Sequence, residues 1–149
     1  MALYKYILDD TFASITSFGS PVFYILVILA LLKFSVPLAL SLFLALIFVE
    51  LFCIAIKLIY RKERPIPQHR EDFFNKIDAN SFPSVHSARI SLVATMVSLY
   101  FKDAPIFITG IIIMLLVGYS RIYLKRHHLT DVLAGFLIGI ITAIITFYL

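Results

Sequence analysis

Long runs of apolar side chains, separated by short polar stretches, are the dominant pattern of this sequence. Five runs approach the roughly 20 residues that a helix needs to cross the hydrocarbon core of a bilayer. They cover about Ile15 to Leu32, Phe34 to Ile59, Pro83 to Phe101, Pro105 to Tyr123 and Asp131 to Leu149. The pattern predicts an all-α, polytopic membrane helix bundle with about five transmembrane helices, forming a single domain over residues 1–149.

The segment before the first run carries a weaker pattern. Asp9 and Asp10 interrupt its apolar stretch, which argues against a signal peptide. Apolar residues such as Leu3, Ile7 and Phe12 nevertheless recur at near-helical spacing. We expect residues 1–14 to form a helix lying in the membrane interface, with a frayed terminus as the alternative.

The connections between the runs differ in length. The polar segment from Tyr60 to Phe82 contains Pro65 and Pro67, so it is not a continuous helix. Loops of this length in a compact domain are usually functional, and Phe73 and Phe74 are placed to dip into the bilayer surface.

Two other connections are short and predict tight helical hairpins. One surrounds Lys33 and Pro37, and the other contains Lys102 and Asp103. In the last run, Gly135 and Gly139 form a small-xxx-small pair, which predicts close packing against another helix.

Composition strengthens the membrane interpretation. Hydrophobic residues make up 61% of the chain and charged residues 15%, whereas soluble domains are about 45–50% apolar and about 25% charged. These values exclude a disordered chain, a collagen-like chain and an ordinary cytosolic domain. A single cysteine, Cys53, excludes a disulfide framework and a cysteine-based zinc site.

The polar residues that remain are concentrated where phosphate chemistry would need them. With five spans, the end of the second helix, the start of the third, the end of the fourth and the start of the fifth share one face. The residues gathered there are Lys57, Arg64, Ser84, His86, Arg121, His127 and Asp131. Cations bind phosphoryl oxygens, and histidines attack phosphorus or transfer protons, so the set predicts phosphoryl transfer.

Simpler explanations exist for these residues one at a time. Lys57, Arg89 and Arg121 lie near helix ends, where their charges can reach the headgroup layer. His127 and Asp131 are four residues apart and share a helical face, so they also suit a structural pair at a helix start.

The order and spacing of the residues are more specific than any one of them. Lys57 is followed after six residues by Arg64-Pro65, and later by Pro83-Ser84-Val85-His86. Ser120-Arg121, five residues, His127, three residues and Asp131 complete the series. This resembles the three-part signature of the type 2 phosphatidic acid phosphatase family, in its membrane lipid phosphatase branch, over about residues 15–149.

The resemblance implies a phosphoric ester hydrolase that needs no metal or other cofactor. His127 would attack phosphorus and form a phosphohistidine, Asp131 would orient and stabilise it, and His86 would protonate the leaving oxygen and then activate water. The implied phosphate-binding residues are Lys57, Arg64, Ser84, Val85, Ser120 and Arg121. Val85 replaces the usual glycine but keeps its amide N–H. His128 is the rival nucleophile by adjacency, although the spacing favours His127.

The resemblance also implies a lipid phosphate substrate, because the site lies in a bilayer and little of the chain lies outside it. Undecaprenyl diphosphate, phosphatidylglycerol phosphate, phosphatidic acid and lipid A 1-phosphate are the candidates, and no nucleic acid partner is expected. Glu50 and Arg89 lie outside the signature and are candidates for substrate specificity. Arg89 would contact a second phosphate or a sugar; a Glu50–Arg89 pair between helices is the alternative. A small lipid flippase or anion carrier is the alternative function, for which the histidines and Asp131 would be superfluous.

The sequence gives two conflicting indications of the side of the membrane on which the candidate site lies. The resemblance implies a multi-pass plasma (inner) membrane protein with its site on the non-cytoplasmic side. Basic residues on the site side nevertheless outnumber Lys33 and Lys102 on the other, which favours a cytoplasmic site. An anionic substrate attracts basic residues as well, so the count is biased, and we follow the resemblance.

Overall fold

The computed structural model describes residues 2–66 and 79–149. These residues form six α-helices and contain no strand, which confirms the predicted all-α fold. The helices are α1 (Ala2–Thr16), α2 (Pro21–Leu31), α3 (Val36–Ile59), α4 (Val85–Phe101), α5 (Ala104–Tyr123) and α6 (Leu129–Tyr148). The expectation for Phe73 and Phe74 lies outside the described residues.

Three of these helices are long and apolar enough to cross a membrane, namely α3, α5 and α6. Most of their side chains face outward, including Leu44, Leu51, Ile108 and Leu137, which suits contact with lipid. The helix α4 has 17 residues and falls short of that length. The described residues therefore provide three candidate spans, or four if α1 and α2 count as one, so the predicted number of five is not confirmed.

The predicted first span, Ile15 to Leu32, is divided in the structure. The helix α1 continues to Thr16, a 3₁₀ turn covers Ser17–Gly19, and α2 then starts at a 49° angle. The sequence explains the break, because Ser20 caps the new helix by accepting a hydrogen bond from the Phe23 amide at 3.4 Å. Pro21 occupies the first turn of α2, where its missing N–H leaves no hydrogen bond unmade.

The helix α1 packs against the end of α5. The Phe12 ring lies 5.4 Å from that of Tyr119 and 4.4 Å from that of Tyr123, measured between ring centroids. The Tyr123 hydroxyl also donates to the Asp9 carboxylate at 3.0 Å. These contacts hold residues of the predicted interfacial segment in a helix rather than a frayed terminus.

The predicted hairpin between α4 and α5 is present. Lys102 ends α4 in the left-handed conformation, with φ of 51°, and reverses the chain. Asp103 then caps α5 by accepting a hydrogen bond from the Ile106 amide at 3.1 Å.

The two helices that begin nearest the motifs, α4 and α6, pack unusually closely. A Cβ atom on Gly139 would overlap the Ser91 hydroxyl and the Ala88 carbonyl, and one on Gly135 would overlap the Ser84 carbonyl. Both glycines therefore let the backbones approach, as the small-xxx-small pair predicted. This contact fixes how the first turns of α4 and α6 are positioned relative to each other along the helix axes.

We predict that Gly139→Ala destabilises the protein, whereas Gly110→Ala does not. Overpacking a helix contact costs about 1–3 kcal/mol. A Cβ on Gly110 would come no closer than 3.3 Å to any atom, the nearest being the Ala94 Cβ and then the Ser98 hydroxyl at 3.6 Å. Thermal unfolding of both variants in the same detergent measures the difference, and equal unfolding temperatures would contradict the assigned packing.

Candidate active site

The structure brings the motif residues of the different helices to one end of the bundle. The Ser84 amide, just before α4, donates to the carbonyl of Asp131 in the first turn of α6 at 2.9 Å. Lys57, in the last turn of α3, donates to the Asn80 carbonyl at 2.6 Å, and the Asn80 side chain donates back to the Lys57 carbonyl at 2.9 Å. The end of α3 and the starts of α4 and α6 are thus held together by hydrogen bonds.

The spacing of Arg121 and His127 follows from how α5 ends. Lys125 adopts the left-handed conformation, with φ of 53°, and its amide donates to the Ile122 carbonyl at 2.9 Å. The amide of Arg126 donates to the Arg121 carbonyl at 3.0 Å, which completes a Schellman ending. The amide of His127 also points to this carbonyl, at 3.2 Å. The five residues between Arg121 and His127 are therefore the length that this turn requires.

The His127 ring is buried and held in one orientation. Its Nδ1 lies 2.7 Å from the carbonyl oxygen of Ser81, and only 3% of the side chain is exposed. A carbonyl oxygen only accepts hydrogen bonds, so Nδ1 is the nitrogen that carries the proton in the neutral ring. The lone pair is then on Nε2, the nitrogen that a nucleophilic histidine would use.

The contact that orients His127 differs from the expected one. Asp131 was expected to hold the ring nitrogen, but its Oδ2 lies 3.9 Å from His127 Nδ1, too far for a hydrogen bond. The carboxylate instead accepts from Lys62 Nζ at 2.5 Å and from the His128 amide at 2.9 Å. The position of Asp131 in the first turn of α6 explains this, because a carboxylate there caps the helix. Asp131 remains close enough to act on His127 through its charge.

The sequence pattern did not assign a role to Lys62 or Ser81. Lys62 contacts Thr130 as well as Asp131, with Nζ 2.7 Å from the threonine hydroxyl. Ser81 is fixed by its amide on the Lys62 carbonyl at 2.7 Å and by its hydroxyl on the Glu63 carbonyl at 2.9 Å. A backbone carbonyl leaves no signal in residue type, whereas the position of Lys62 between Lys57 and Arg64 could have singled it out.

Three buried cations surround this end of the bundle. Lys57, Arg64 and Arg121 are 3%, 7% and 7% exposed, and all three act electrostatically on His127. Burial and, to a smaller extent, these cations lower the pKa of His127 to about 4, against the opposing effect of Asp131. The ring is thus neutral at pH 7, in a site whose charge favours an anion.

His86 lies in the first turn of α4, with its ring packed on Gly19. A Cβ on Gly19 would overlap this ring, so the 3₁₀ turn before α2 leaves room for it. The amides of Val85 and His86 are in the first turn, where a helix offers no carbonyl acceptor and favours an anion. The Ser84 hydroxyl caps α4 and accepts from the Ser87 hydroxyl at 2.9 Å.

Ser120, Arg89 and Glu50 make contacts of their own elsewhere in the bundle. The Ser120 hydroxyl donates to the Val117 carbonyl and meets the Thr16 hydroxyl, both at 2.7 Å, so it fastens α1 to α5. Arg89 and Glu50 form an ion pair between α4 and α3, with Arg89 Nε 2.8 Å from Glu50 Oε2. This pair was the alternative to a role in substrate specificity. His128 is 44% exposed, in contrast to His127.

Comparison with known proteins agrees with the motif geometry. The PAP2 superfamily model matches residues 38–149. A "Probable lipid phosphate phosphatase beta" from Arabidopsis thaliana is 32% identical over 139 residues, covering 75% of this chain and 63% of the relative. "Phosphatidylglycerophosphatase B" from Bacillus subtilis (strain 168) is 34% identical over 87 residues, covering 51% of this chain and 43% of the relative. The chain thus spans less than two thirds of the length of these curated relatives.

Two crystal structures share the fold. Aquifex aeolicus LpxE superimposes with a TM-score of 0.82 and 27% identity, covering 96% of this chain and 87% of that one. The PAP2-type phosphatidylglycerolphosphate phosphatase of Bacillus subtilis gives 0.76 and 27% identity, covering 93% of this chain and 74% of that one.

We predict that His127 titrates with a pKa near 4, below the ordinary value of 6.5. Burial and the neighbouring cations disfavour the imidazolium, so the neutral ring with its free lone pair predominates above about pH 4. NMR titration of protein labelled with ¹⁵N-histidine measures this pKa, and His127→Ala identifies the signal. A midpoint at or above 6.5 would contradict the buried, cation-lined site.

Proposed function

The chain belongs to the PAP2 superfamily, and on this premise we propose that it is a membrane lipid phosphatase that works through a phosphohistidine on His127. The observation that carries the proposal is the state of that ring. Its Nδ1 proton is bound by the Ser81 carbonyl, its Nε2 is left as the base, and buried cations surround it.

In the first step of the proposed mechanism, the phosphoryl group binds among Lys57, Arg64 and Arg121. Their charges neutralise its oxygens and stabilise the charge that develops on them. The Nε2 lone pair of His127 attacks phosphorus and the bond from phosphorus to the leaving oxygen breaks. His86, protonated once the phosphate anion is bound, gives that oxygen its proton. Asp131 stabilises the positive charge that His127 gains.

In the second step, His86 takes a proton from a water molecule whose oxygen attacks phosphorus. The bond from phosphorus to Nε2 breaks, inorganic phosphate leaves, and both histidines return to their starting states. His86 is proposed for both roles because it lies in the first turn of α4, where the helix N-terminus favours an anion. All the groups involved belong to the chain itself, so the proposed reaction uses no metal.

A lipid phosphate is the substrate class that best suits this arrangement. The site lies at the ends of helices whose outer surfaces are covered by large apolar side chains, such as those of Phe48, Ile112 and Ile141. A phosphate carried on a lipid would reach it from the bilayer. The relatives named for lipid phosphate and phosphatidylglycerophosphate support this class. The four lipids considered from the sequence remain the candidates.

The proposed location is the plasma (inner) membrane, with the site on its non-cytoplasmic side. The Bacillus relatives support a multi-pass membrane protein. The choice of side rests on the family resemblance.

We predict that His127→Ala lowers lipid phosphatase activity by a factor of a thousand or more, since the residue forms the covalent intermediate. With ³²P-labelled phosphatidic acid, acid-labile label should be trapped on the wild-type protein and on His128→Ala, but not on His127→Ala. His128→Ala is the matched control, because it also removes an imidazole ring from this turn.

Full activity of His127→Ala would overturn this mechanism. Label that depends on His128 would identify the rival nucleophile instead. Transbilayer movement of the lipid without release of phosphate would support the carrier alternative.

We predict that a cysteine at position 126 is labelled from outside intact cells. Arg126 is exposed in the turn before His127, whereas Lys33 is exposed at the opposite end of the helices, and the native Cys53 is fully buried. An impermeant maleimide should therefore modify Arg126→Cys directly and Lys33→Cys only after permeabilisation. The reverse pattern would place the site in the cytoplasm.

A further inference from the structure

A second polar cluster lies within the apolar part of the bundle, between α2, α3 and α4. Arg89 donates to Glu50 through two nitrogens, and its Nη1 donates to the Gly19 carbonyl at 3.3 Å. The side chain of Arg89 is 12% exposed and that of Glu50 is 36% exposed. Charged groups at this depth are expensive and are usually functional.

The cluster forms one end of a groove of about 330 Å³. Apolar residues of α2 and α3 line the rest of it, among them Ile25, Ile28, Phe43 and Leu46. This combination of a long apolar wall and a small polar end suits a molecule that is itself apolar with one polar segment.

Tyr24 provides an independent sign that this groove has an occupant. Its side chain lines the groove and is 2% exposed. The hydroxyl has no hydrogen-bond partner among residues 2–66 and 79–149. A buried hydroxyl without a hydrogen-bond partner costs about 1–3 kcal/mol. A residue that served only to fill space would not need to carry this hydroxyl. The Tyr24 ring lines the groove, so a ligand oxygen would reach the hydroxyl once the side chain turns toward the bound molecule.

The groove adjoins the proposed active site through Gly19. The His86 ring packs on Gly19, and Arg89, one turn further along α4, binds the carbonyl of the same glycine. A substrate whose leaving oxygen is protonated by His86 would therefore extend its next atoms toward Arg89, Glu50 and Tyr24.

We propose that Tyr24, Glu50 and Arg89 form a subsite for an uncharged, oxygen-bearing linker, of the glycerol type, between the phosphate and the apolar chains of a lipid monophosphate. This rests on the proposed phosphatase function and specifies its substrate class. The Tyr24 hydroxyl donates to a linker oxygen, the Glu50–Arg89 pair offers both acceptor and donor atoms, and the apolar groove holds a chain.

The charge of the cluster favours a neutral linker over a second phosphate. Glu50 compensates the charge of Arg89, and three nitrogens of the guanidinium already donate to protein oxygens. A second phosphate would lie against the Glu50 carboxylate, which repels it. The subsite therefore discriminates against diphosphates, and it gives no advantage to isoprenoid monophosphates, whose chains carry no oxygen beyond the phosphate.

The first test compares Tyr24→Phe with the wild-type protein on phosphatidic acid, lysophosphatidic acid and farnesyl phosphate. We expect kcat/KM to fall about five- to tenfold on the two glycerol lipids, as for loss of one hydrogen bond, and to stay unchanged on farnesyl phosphate. Because the removed hydroxyl has no partner within the described protein, the unfolding temperature should not fall. Tyr100→Phe is the matched control, since Tyr100 is exposed near the far end of α4.

The second test uses Glu50→Gln to remove the negative charge beside Arg89. We expect the ratio of farnesyl diphosphate to farnesyl monophosphate hydrolysis to rise, because Arg89 is then free of its compensating carboxylate. A larger loss on lysophosphatidic acid than on phosphatidic acid in Tyr24→Phe would identify a hydroxyl as the bound oxygen, and the opposite order an ester.

The outcomes separate this inference from the proposed function. If the wild-type protein hydrolyses lipid phosphates while Tyr24→Phe leaves the ranking of substrates unchanged, the subsite is wrong and the phosphatase is not. An equal loss on all three substrates together with a lower unfolding temperature would make Tyr24 a packing residue. Absence of hydrolysis of every lipid by the wild-type protein would overturn both proposals.

Discussion

The close contact between α4 and α6 is the constraint on which the rest of the site depends. Gly135 and Gly139 have no side chain that would separate α4 from α6, so the first turns of the two helices lie side by side. The Ser84 amide can then reach the Asp131 carbonyl, and the starts of both helices share one end of the bundle. Two segments far apart in sequence, one with His86 and one with His127, are brought together by backbone packing rather than by the catalytic side chains themselves.

Burial of charge gives this arrangement its chemical character. Lys57, Arg64 and Arg121 are almost inaccessible, and Asp131 is wholly buried with Lys62 against it. Such a site is held together when hydrogen bonds supplement the charges, as the reciprocal bonds between Lys57 and Asn80 do at the end of α3. Burial, supplemented by the neighbouring cations, lowers the pKa of His127 and keeps its ring neutral, and the excess of positive charge disposes the site to bind an anion.

Much of this could be predicted from sequence, because apolar runs and motif spacing report directly on helices and on side-chain chemistry. The all-α fold, the α4–α5 hairpin and the glycine-mediated contact were predictable in this way. The break at Ser17–Gly19 was not, because a short turn leaves the hydropathy of the run unchanged, whereas the cap at Ser20 and Pro21 was a readable signal. The Ser81 carbonyl that orients His127 was invisible, since every residue type carries one.

In the proposed mechanism, Nε2 of His127 attacks phosphorus while Nδ1 stays bound to the Ser81 carbonyl. The most direct measurement is ³¹P NMR of the denatured, rapidly quenched enzyme after brief reaction with a lipid phosphate, with peptide mapping to locate the modified histidine. We predict a phosphoramidate on Nε2 of His127. A phosphoryl group on Nδ1, or on any other residue, would contradict the account.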